Sequence, residues 1–263
     1  MATATSHLDI LAFLLSYAYQ REGNNQKPVK GDLILPSGVS VLDRLLNGGL
    51  STGRFTHIYG EAASGKTTIA LQFVSAACRI GVGTVYVNSE ATSPVERLEQ
   101  IAGKSFSELE ENLRILAPKS FSEQGTVVDD IELYAREGTR LVVVDTLTRL
   151  YRAVLDDKKT NYANHRELNR QAGILKGLAV HNDLALVVLN QVRGSLNDMG
   201  GFEPVAKNVI DYWSDYVFKV RLGKATGQRV LERTRPKDAA NTGVLYLTDR
   251  GLAVTRKSKE KDK

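Results

Sequence analysis

Apolar residues recur along the chain in short runs, and polar segments long enough to form helices separate them. Strands are predicted by the apolar runs at 55–59, 84–88, 113–116, 141–144 and 184–189. Helices are predicted at 66–79, from Ser93 onward, near 122–137 and at 163–181. Most of these runs do not alternate apolar and polar positions, which is typical of strands buried on both faces. The order predicts an α/β fold with a mostly parallel central sheet flanked by helices.

The pattern changes after about residue 215. The segments 216–221, 229–233, 244–247 and 252–255 are short and are joined by turns that contain glycine. Such spacing predicts antiparallel strands at the C-terminal edge of the same sheet. At the other end, residues 8–20 place apolar side chains at helical spacing before a polar segment rich in turn formers. We therefore expect a short N-terminal helix and linker (1–30), one core domain (31–256) and a charged tail (257–263).

Composition narrows the class of protein. The 263 residues include one cysteine, Cys78, so an internal disulfide is excluded. The longest uninterrupted apolar runs have about six residues, far short of the roughly 20 that cross a bilayer. The N-terminus has no basic segment before its apolar stretch, which argues against a secretory signal. We expect a cytoplasmic protein that does not engage a membrane.

Positive charge is concentrated near the C-terminus. Residues 219–263 contain 13 Lys and Arg against 5 Asp and Glu, whereas the whole chain has a net charge of only +5. This asymmetry favours a polyanionic partner, although a solubilising tail would give the same pattern.

Residues 60–67 read GEAASGKT, which fits the phosphate-binding pattern G-x-x-x-x-G-K-[ST] between a strand and a helix. Glycines allow the backbone to turn so that successive N–H groups point at a phosphate, and the N-terminus of the following helix adds positive potential. Lys66 supplies a cation for the β- and γ-phosphates, and Thr67 offers a hydroxyl to Mg²⁺. The predicted nucleotide-binding residues are Gly60, Glu61, Ala62, Ala63, Ser64, Gly65, Lys66, Thr67 and Thr68. The expected ligands are ATP and Mg²⁺.

Two carboxylates complete the predicted site. Asp145 ends the apolar run LVVV, where a Walker B carboxylate holds the hydrated metal ion. Glu90 follows the strand at 84–88, and ligands collect outside the carboxyl ends of parallel strands. From its position alone, Glu90 would equally fit a solvated surface residue.

Four segments together resemble the RecA-type recombinase family, and they occur in that family's order: YGEAASGKTTIALQF, VYVNSEATSPVERL, LVVVDTLTRLYR and VVLNQVR. The resemblance covers roughly residues 31–255. It implies a RecA-like P-loop NTPase core that binds DNA and acts in homologous recombination and DNA repair. Within the family, the chain resembles the paralogues that lack a long N-terminal DNA-binding domain. This resemblance implies that the protein is an accessory to a main recombinase and hydrolyses ATP weakly in the presence of Mg²⁺.

The resemblance also implies residue roles. Glu90 corresponds to the glutamate that activates the attacking water, Gln191 to the glutamine that senses the γ-phosphate, and Lys66 acts with them in catalysis. The segment after Gln191 corresponds to a DNA-contacting loop, and residues 233–237 (RTRPK) to a basic C-terminal motif. Single-stranded DNA is the favoured form of the DNA partner, and the expected DNA contacts are Arg193, Lys207, Arg233, Arg235 and Lys237.

Alternatives remain at this point. The protein could be an ATP-gated mediator that does not hydrolyse ATP and works through protein–protein contacts, or a small-molecule kinase that uses the same loop. The RTRPK segment could be a solvated turn. The segment 13–16 resembles the tether that links recombinase protomers into homo-oligomers, with Ser16 in place of its alanine, and core packing of this helix is the other interpretation.

Overall fold

The computed structural model describes residues 33–156, 158–194, 202–237 and 241–255. Its helices are α1 (Ser40–Leu45), α2 (Lys66–Arg79), α3 (Val95–Ala102), α4 (Phe106–Leu109), α5 (Phe121–Asp129), α6 (Ile131–Tyr134), α7 (Arg149–Ala153), α8 (Lys158–His181) and α9 (Lys207–Trp213). Its strands are β1 (Ile34–Leu35), β2 (Leu50–Ser51), β3 (Phe55–Gly60), β4 (Gly83–Asn88), β5 (Leu113–Leu116), β6 (Thr139–Asp145), β7 (Ala185–Asn190), β8 (Val192–Gly194), β9 (Phe202–Pro204), β10 (Tyr216–Leu222), β11 (Gln228–Arg235), β12 (Thr242–Thr248) and β13 (Gly251–Ala253).

Nine of these strands form one sheet in the order β13-β12-β11-β10-β3-β7-β6-β4-β5. The strands from β10 to β5 pair in parallel, and β10 to β13 pair antiparallel. Two small two-stranded sheets, β1-β2 and β8-β9, lie outside it. The predicted fold class is therefore confirmed, including the antiparallel C-terminal edge.

Both faces of the parallel part are covered, because successive residues of its strands enter different cores. In β6, Leu141 and Val143 belong to the core that contains the α2 residue Phe73. Val142 and Val144 belong to the core that contains the α8 residue Leu168. This two-sided burial explains why the strands read as continuous apolar runs.

The structure differs from the predicted elements in places. The helix expected near 122–137 is two helices, α5 and α6, which meet at Asp130, and α8 begins five residues before the expected start. Three short helices, α4, α7 and α9, and the β8-β9 hairpin were not predicted. The expected N-terminal helix and linker (1–30), the tether segment 13–16 and the tail (257–263) lie outside the described residues. None of the helices described is both long and apolar enough to span a bilayer.

Candidate functional site

The predicted catalytic residues converge at one edge of the sheet. The phosphate loop follows β3, Gln191 follows β7, Asp145 ends β6 and Glu90 lies just after β4. These four strands are neighbours in the order β3-β7-β6-β4, and all run in the same direction. Their carboxyl ends therefore form one crevice, which is where open α/β sheets bind ligands.

The backbone of the phosphate loop requires glycine at two of the positions where it turns. A Cβ at Gly60 would overlap the carbonyl of Val220. Gly65 has a φ of 96°, in the left-handed region that favours glycine, and Ala63 occupies the same region at 57°. Directly after Gly65, α2 begins at Lys66 and continues through 14 residues, with Thr67 and Thr68 in its first turn. The helix N-terminus thus faces the loop.

Lys66 is the cation of this loop. Its side chain is buried, and Nζ donates to the carbonyl oxygens of Gly60 (2.9 Å) and Glu61 (2.7 Å). Desolvation lowers the pKa of Lys66, although Asp145 and Glu90 oppose this shift. A buried ammonium whose hydrogen-bond acceptors are neutral carbonyls fits an anionic phosphate in the loop.

Asp145 and Thr67 lie together beside this loop. Thr67 Oγ1 donates to Asp145 Oδ2 at 2.8 Å, and the hydroxyl of Tyr86 donates to the same oxygen at 2.7 Å. Asp145 is buried, and desolvation raises its pKa, while the two hydrogen bonds oppose that shift. A hydroxyl and a buried carboxylate in contact are ligands that suit Mg²⁺ together with phosphate oxygens and water. The residues present therefore fit the expected metal ion.

Tyr86 is a residue of this site that sequence reasoning missed. It lies in the middle of β4 and is fully buried, and desolvation followed by the charge of Asp145 raises the pKa of its phenol well above the usual value. It therefore remains a hydrogen-bond donor to Asp145. The available signal was a phenol between Val85 and Val87 in a buried strand, because a buried Tyr hydroxyl usually has a partner.

Glu90 is held by groups from two other strand ends. Its Oε1 accepts from Gln191 Nε2 at 3.0 Å and from Thr146 Oγ1 at 3.3 Å. Its Oε2 lies 3.5 Å from Arg149 Nε, and Arg149 also donates to the carbonyl of Ser89. Glu90 thus contacts groups from the same strand ends as Gln191 and Asp145 and is not surrounded only by solvent.

Gln191 connects Glu90 to the segment that follows β7. Its Oε1 accepts from Arg152 Nη1 of α7 at 2.9 Å, and its carbonyl accepts from Val205 N at 3.0 Å. The preceding Asn190 donates from Nδ2 to the carbonyl of Val205 at 2.8 Å. The ends of the DNA-loop candidate are therefore fixed to the same strand end as Gln191, whereas residues 195–201 lie outside the described residues.

The predicted DNA contacts do not form a comparable cluster. Arg193 on β8 forms an ion pair with Glu203 on β9 at 2.8 Å. Lys207 is exposed at the start of α9, and Arg235 and Lys237 are exposed at the end of β11 and just after it.

Arg233 requires a correction. Its side chain is only 2% exposed, and Nη1 donates to the carbonyl of Leu45 at 2.7 Å, so in this structure it cannot contact a phosphate. Residues two apart on a strand normally share a face, but a β-bulge separates Arg233 from Arg235. Arg233 is opposite Phe218, whereas Arg235 is opposite Val217 and donates to the carbonyls of Asp211 and Ser214. The two arginines therefore face opposite sides of the sheet, and Arg233 lies in the strand and not in a turn.

Comparisons with known proteins agree with this geometry. A family model described as Rad51 matches residues 25–253. The DNA repair and recombination protein RadB of Methanococcoides burtonii is 36% identical over 191 residues, which are 70% of this chain and 84% of that protein. The protein of the same name from Methanobrevibacter smithii is 32% identical over 220 residues, which are 81% and 93% of the two chains.

A solved structure, the crystal structure of the RadB recombinase, is also similar. It superposes with a TM-score of 0.71 at 29% sequence identity, and the match covers 85% of this chain and 100% of that one. The resemblance to RecA-type recombinases is confirmed, and so is the expectation that archaeal RadB, a paralogue of the main recombinase, is similar to the chain. The chain belongs to the Rad51 family.

Proposed function

We propose that this protein binds MgATP and DNA and acts in homologous recombination and DNA repair in the cytoplasm, as an accessory to a main recombinase. One observation carries the proposal: a phosphate loop, a threonine hydrogen-bonded to a buried aspartate, a glutamate and a glutamine converge at the ends of four adjacent strands. The names and the similarity of the relatives support the role in recombination and repair.

The side chains divide the chemistry between them. Lys66, which now donates to Gly60 and Glu61, would transfer its hydrogen bonds to phosphate oxygens of ATP. Thr67 and Asp145 would hold Mg²⁺, which neutralises phosphate charge when bound. Glu90 would orient and deprotonate the attacking water, and Gln191 would place an amide beside the terminal phosphate.

DNA would meet the protein at the ends of the β8-β9 hairpin and along the exposed basic residues Arg193, Lys207, Arg235 and Lys237. Gln191 is hydrogen-bonded both to Glu90 and to Val205. A change at the nucleotide can therefore reach both ends of the loop that joins Gln191 to Val205. Contacts between these basic residues and DNA neutralise phosphates and do not read bases, which suits the binding of single-stranded DNA of any sequence.

Turnover by a Glu90→Gln variant tests the enzymatic part. We expect MgATP affinity within twofold of wild type, because the amide keeps the side-chain volume, and a loss of turnover of about 100-fold or more, because the base is removed. Glu96→Gln, at an exposed position on α3, is the matched control and should leave both quantities unchanged. Full turnover in Glu90→Gln would remove Glu90 from catalysis.

The second candidate function is an ATP-gated mediator that does not hydrolyse ATP. Two hydrogen bonds to Glu90 Oε1 and the ion pair at Oε2 favour it, since they engage lone pairs with which a general base would accept a proton from water. ATP hydrolysis measured with and without single-stranded DNA separates the two. If DNA does not raise turnover and Glu90→Gln still binds the main recombinase, the mediator is the function and the ATPase is not.

A protein partner would bind at an open edge of the sheet. In the part of the chain that the structure describes, β5 is the last strand of the sheet and pairs only with β4. An unpaired strand edge can accept an extended segment of another chain. This edge would therefore bind the main recombinase or a second copy of this protein.

A further inference from the structure

The outer side of the phosphate loop is covered by the C-terminal antiparallel strands. Arg229, the second residue of β11, donates from Nε to the carbonyl of Ser64 at 2.9 Å and from Nη2 to the carbonyl of Ala63 at 3.1 Å. From β12, the side chain of Leu247 lies against Gly65, where an added Cβ would be 3.1 Å from both of its methyl carbons. Two strands from the C-terminal part of the chain thus contact three consecutive residues of the loop.

The guanidinium of Arg229 donates to two peptide units of the phosphate loop. The carbonyls of Ala63 and Ser64 belong to the same peptide units as the N–H groups of Ser64 and Gly65. A charged donor on a carbonyl oxygen polarises its peptide unit and makes the N–H a stronger donor. Phosphate loops bind their ligand through such N–H groups, so Arg229 would strengthen them from behind. The Ser64 N–H donates here to the Glu61 carbonyl at 3.2 Å and would exchange this acceptor for a phosphate oxygen.

Arg229 also restrains the loop backbone. Ala63 has a positive φ, which is unfavourable for a residue with a Cβ and persists only where surrounding contacts enforce it. The two hydrogen bonds that Arg229 donates hold the loop backbone in this geometry from outside the loop. Partial burial lowers the pKa of Arg229, yet an arginine stays charged at neutral pH.

We propose that Arg229 is a positioning residue for nucleotide binding: it fixes and polarises the phosphate loop without touching the reacting atoms. The proposal rests on the function proposed above, because it requires a polyphosphate in the loop. It assigns the C-terminal strands a part in nucleotide affinity and adds a residue that the phosphate-loop pattern does not include.

Equilibrium binding of MgADP and MgATP to the full chain tests the proposal. We expect Arg229→Met, which keeps an unbranched side chain, to lower the affinity for both nucleotides about tenfold, because the charge-assisted hydrogen bonds are lost. Arg229→Lys keeps the charge but not the two-pronged geometry, so its affinity should fall between those of wild type and Arg229→Met. In turnover assays the KM for MgATP should rise, while kcat at saturation stays within about threefold, because ground state and transition state lose the same contact.

Arg97→Met is the matched control. Arg97 on α3 donates to the carbonyls of Thr248 and Asp249, so it also fastens the C-terminal strands through two backbone carbonyls, but not the phosphate loop. If loosening these strands were the cause, Arg97→Met would weaken nucleotide binding as much as Arg229→Met, and the proposal would be overturned. Unchanged affinity in Arg97→Met supports it.

The outcomes separate this proposal from the proposed function. If wild type binds neither nucleotide, the proposed function fails and the role of Arg229 fails with it. If wild type binds both and Arg229→Met binds them within twofold, only the role of Arg229 is overturned. Thermal unfolding of each variant without nucleotide shows whether it is folded. If Arg229→Met does not fold, the affinity of Arg229→Lys is compared with that of wild type instead.

Discussion

The nucleotide site and the predicted DNA contacts differ in how the fold holds them. The nucleotide residues follow four adjacent buried strands, and Asp145 and Glu90 each have hydrogen-bond partners from other elements. The predicted DNA contacts are spread over β8, α9, β11 and the residues after it, and one of them, Arg233, is buried. Sheet register places the first set as a unit, whereas each member of the second set depends on its local surroundings. The two sets should therefore respond differently to substitution.

Lys66→Ala should give the largest effect. It removes the ammonium of the phosphate loop, and we expect MgATP affinity to fall at least about 100-fold. Calorimetric or fluorescence titration measures the change. Lys104→Ala, at an exposed position after α3, removes the same charge and should bind nucleotide as wild type does. Retained binding in Lys66→Ala would show that the buried cluster is not the nucleotide site.

Asp145→Asn should have a smaller effect, on stability. Burial raises the pKa of Asp145 in the folded protein, so the fold disfavours its charged form. This penalty is present at neutral pH and disappears as the pH falls through the folded pKa towards the unfolded value of about 3.9. Without nucleotide and metal, we expect Asp145→Asn to unfold a few degrees higher at pH 7, with a gain that shrinks on acidification.

Asp249→Asn provides the comparison for this effect, because its side chain is exposed and its unfolding temperature should not change. Excess MgATP should reverse the order of Asp145→Asn and wild type, since only wild type would hold the metal ion fully. An unfolding temperature of Asp145→Asn at or below that of wild type at neutral pH would show that the buried carboxylate is not disfavoured in the fold.

The smallest effect concerns the scattered basic residues. The double variant Arg235→Ala/Lys237→Ala should give a shallower dependence of DNA affinity on salt, by about one unit of slope per lost phosphate contact. Arg233→Ala should leave that slope unchanged and instead lower the unfolding temperature, because its guanidinium is buried on the Leu45 carbonyl. Binding of single- and double-stranded DNA across a salt series measures the slopes. An equal change of slope in Arg233→Ala would mean that this residue reaches DNA after all.

Most of the fold could be predicted from the sequence because the parallel strands are buried on both faces. The predicted bounds of α2 and β5 coincide with the observed ones, since turn residues and apolar runs define both elements. The short helix α7 and the β8-β9 hairpin were not predicted. Both of these elements are fixed mainly by tertiary contacts, such as that of Arg152 with Gln191, and no pattern in their local sequence predicts them.

The site could be predicted only as far as a spacing motif or a resemblance reached. The phosphate loop and Asp145 follow from spacing and strand order, and Glu90 and Gln191 from resemblance. Tyr86 and Arg229 come from strands that a motif search does not join to the loop, and only their register brings them there. Arg233 was wrong as a DNA contact because it shares a face of β11 with the buried Leu231, and the bulge that follows it turns only Arg235 to the other side.

That bulge has an evolutionary consequence. An additional residue in β10 between Val217 and Phe218, opposite Thr234, would restore the regular pleat and place Arg233 and Arg235 on one side, so either two cations would become available to a polyanion or two would need neutral partners inside. Counting basic residues in this strand therefore does not measure its attraction for nucleic acid. Among related chains, a length difference of one residue at this position would change binding more than many exchanges of lysine for arginine.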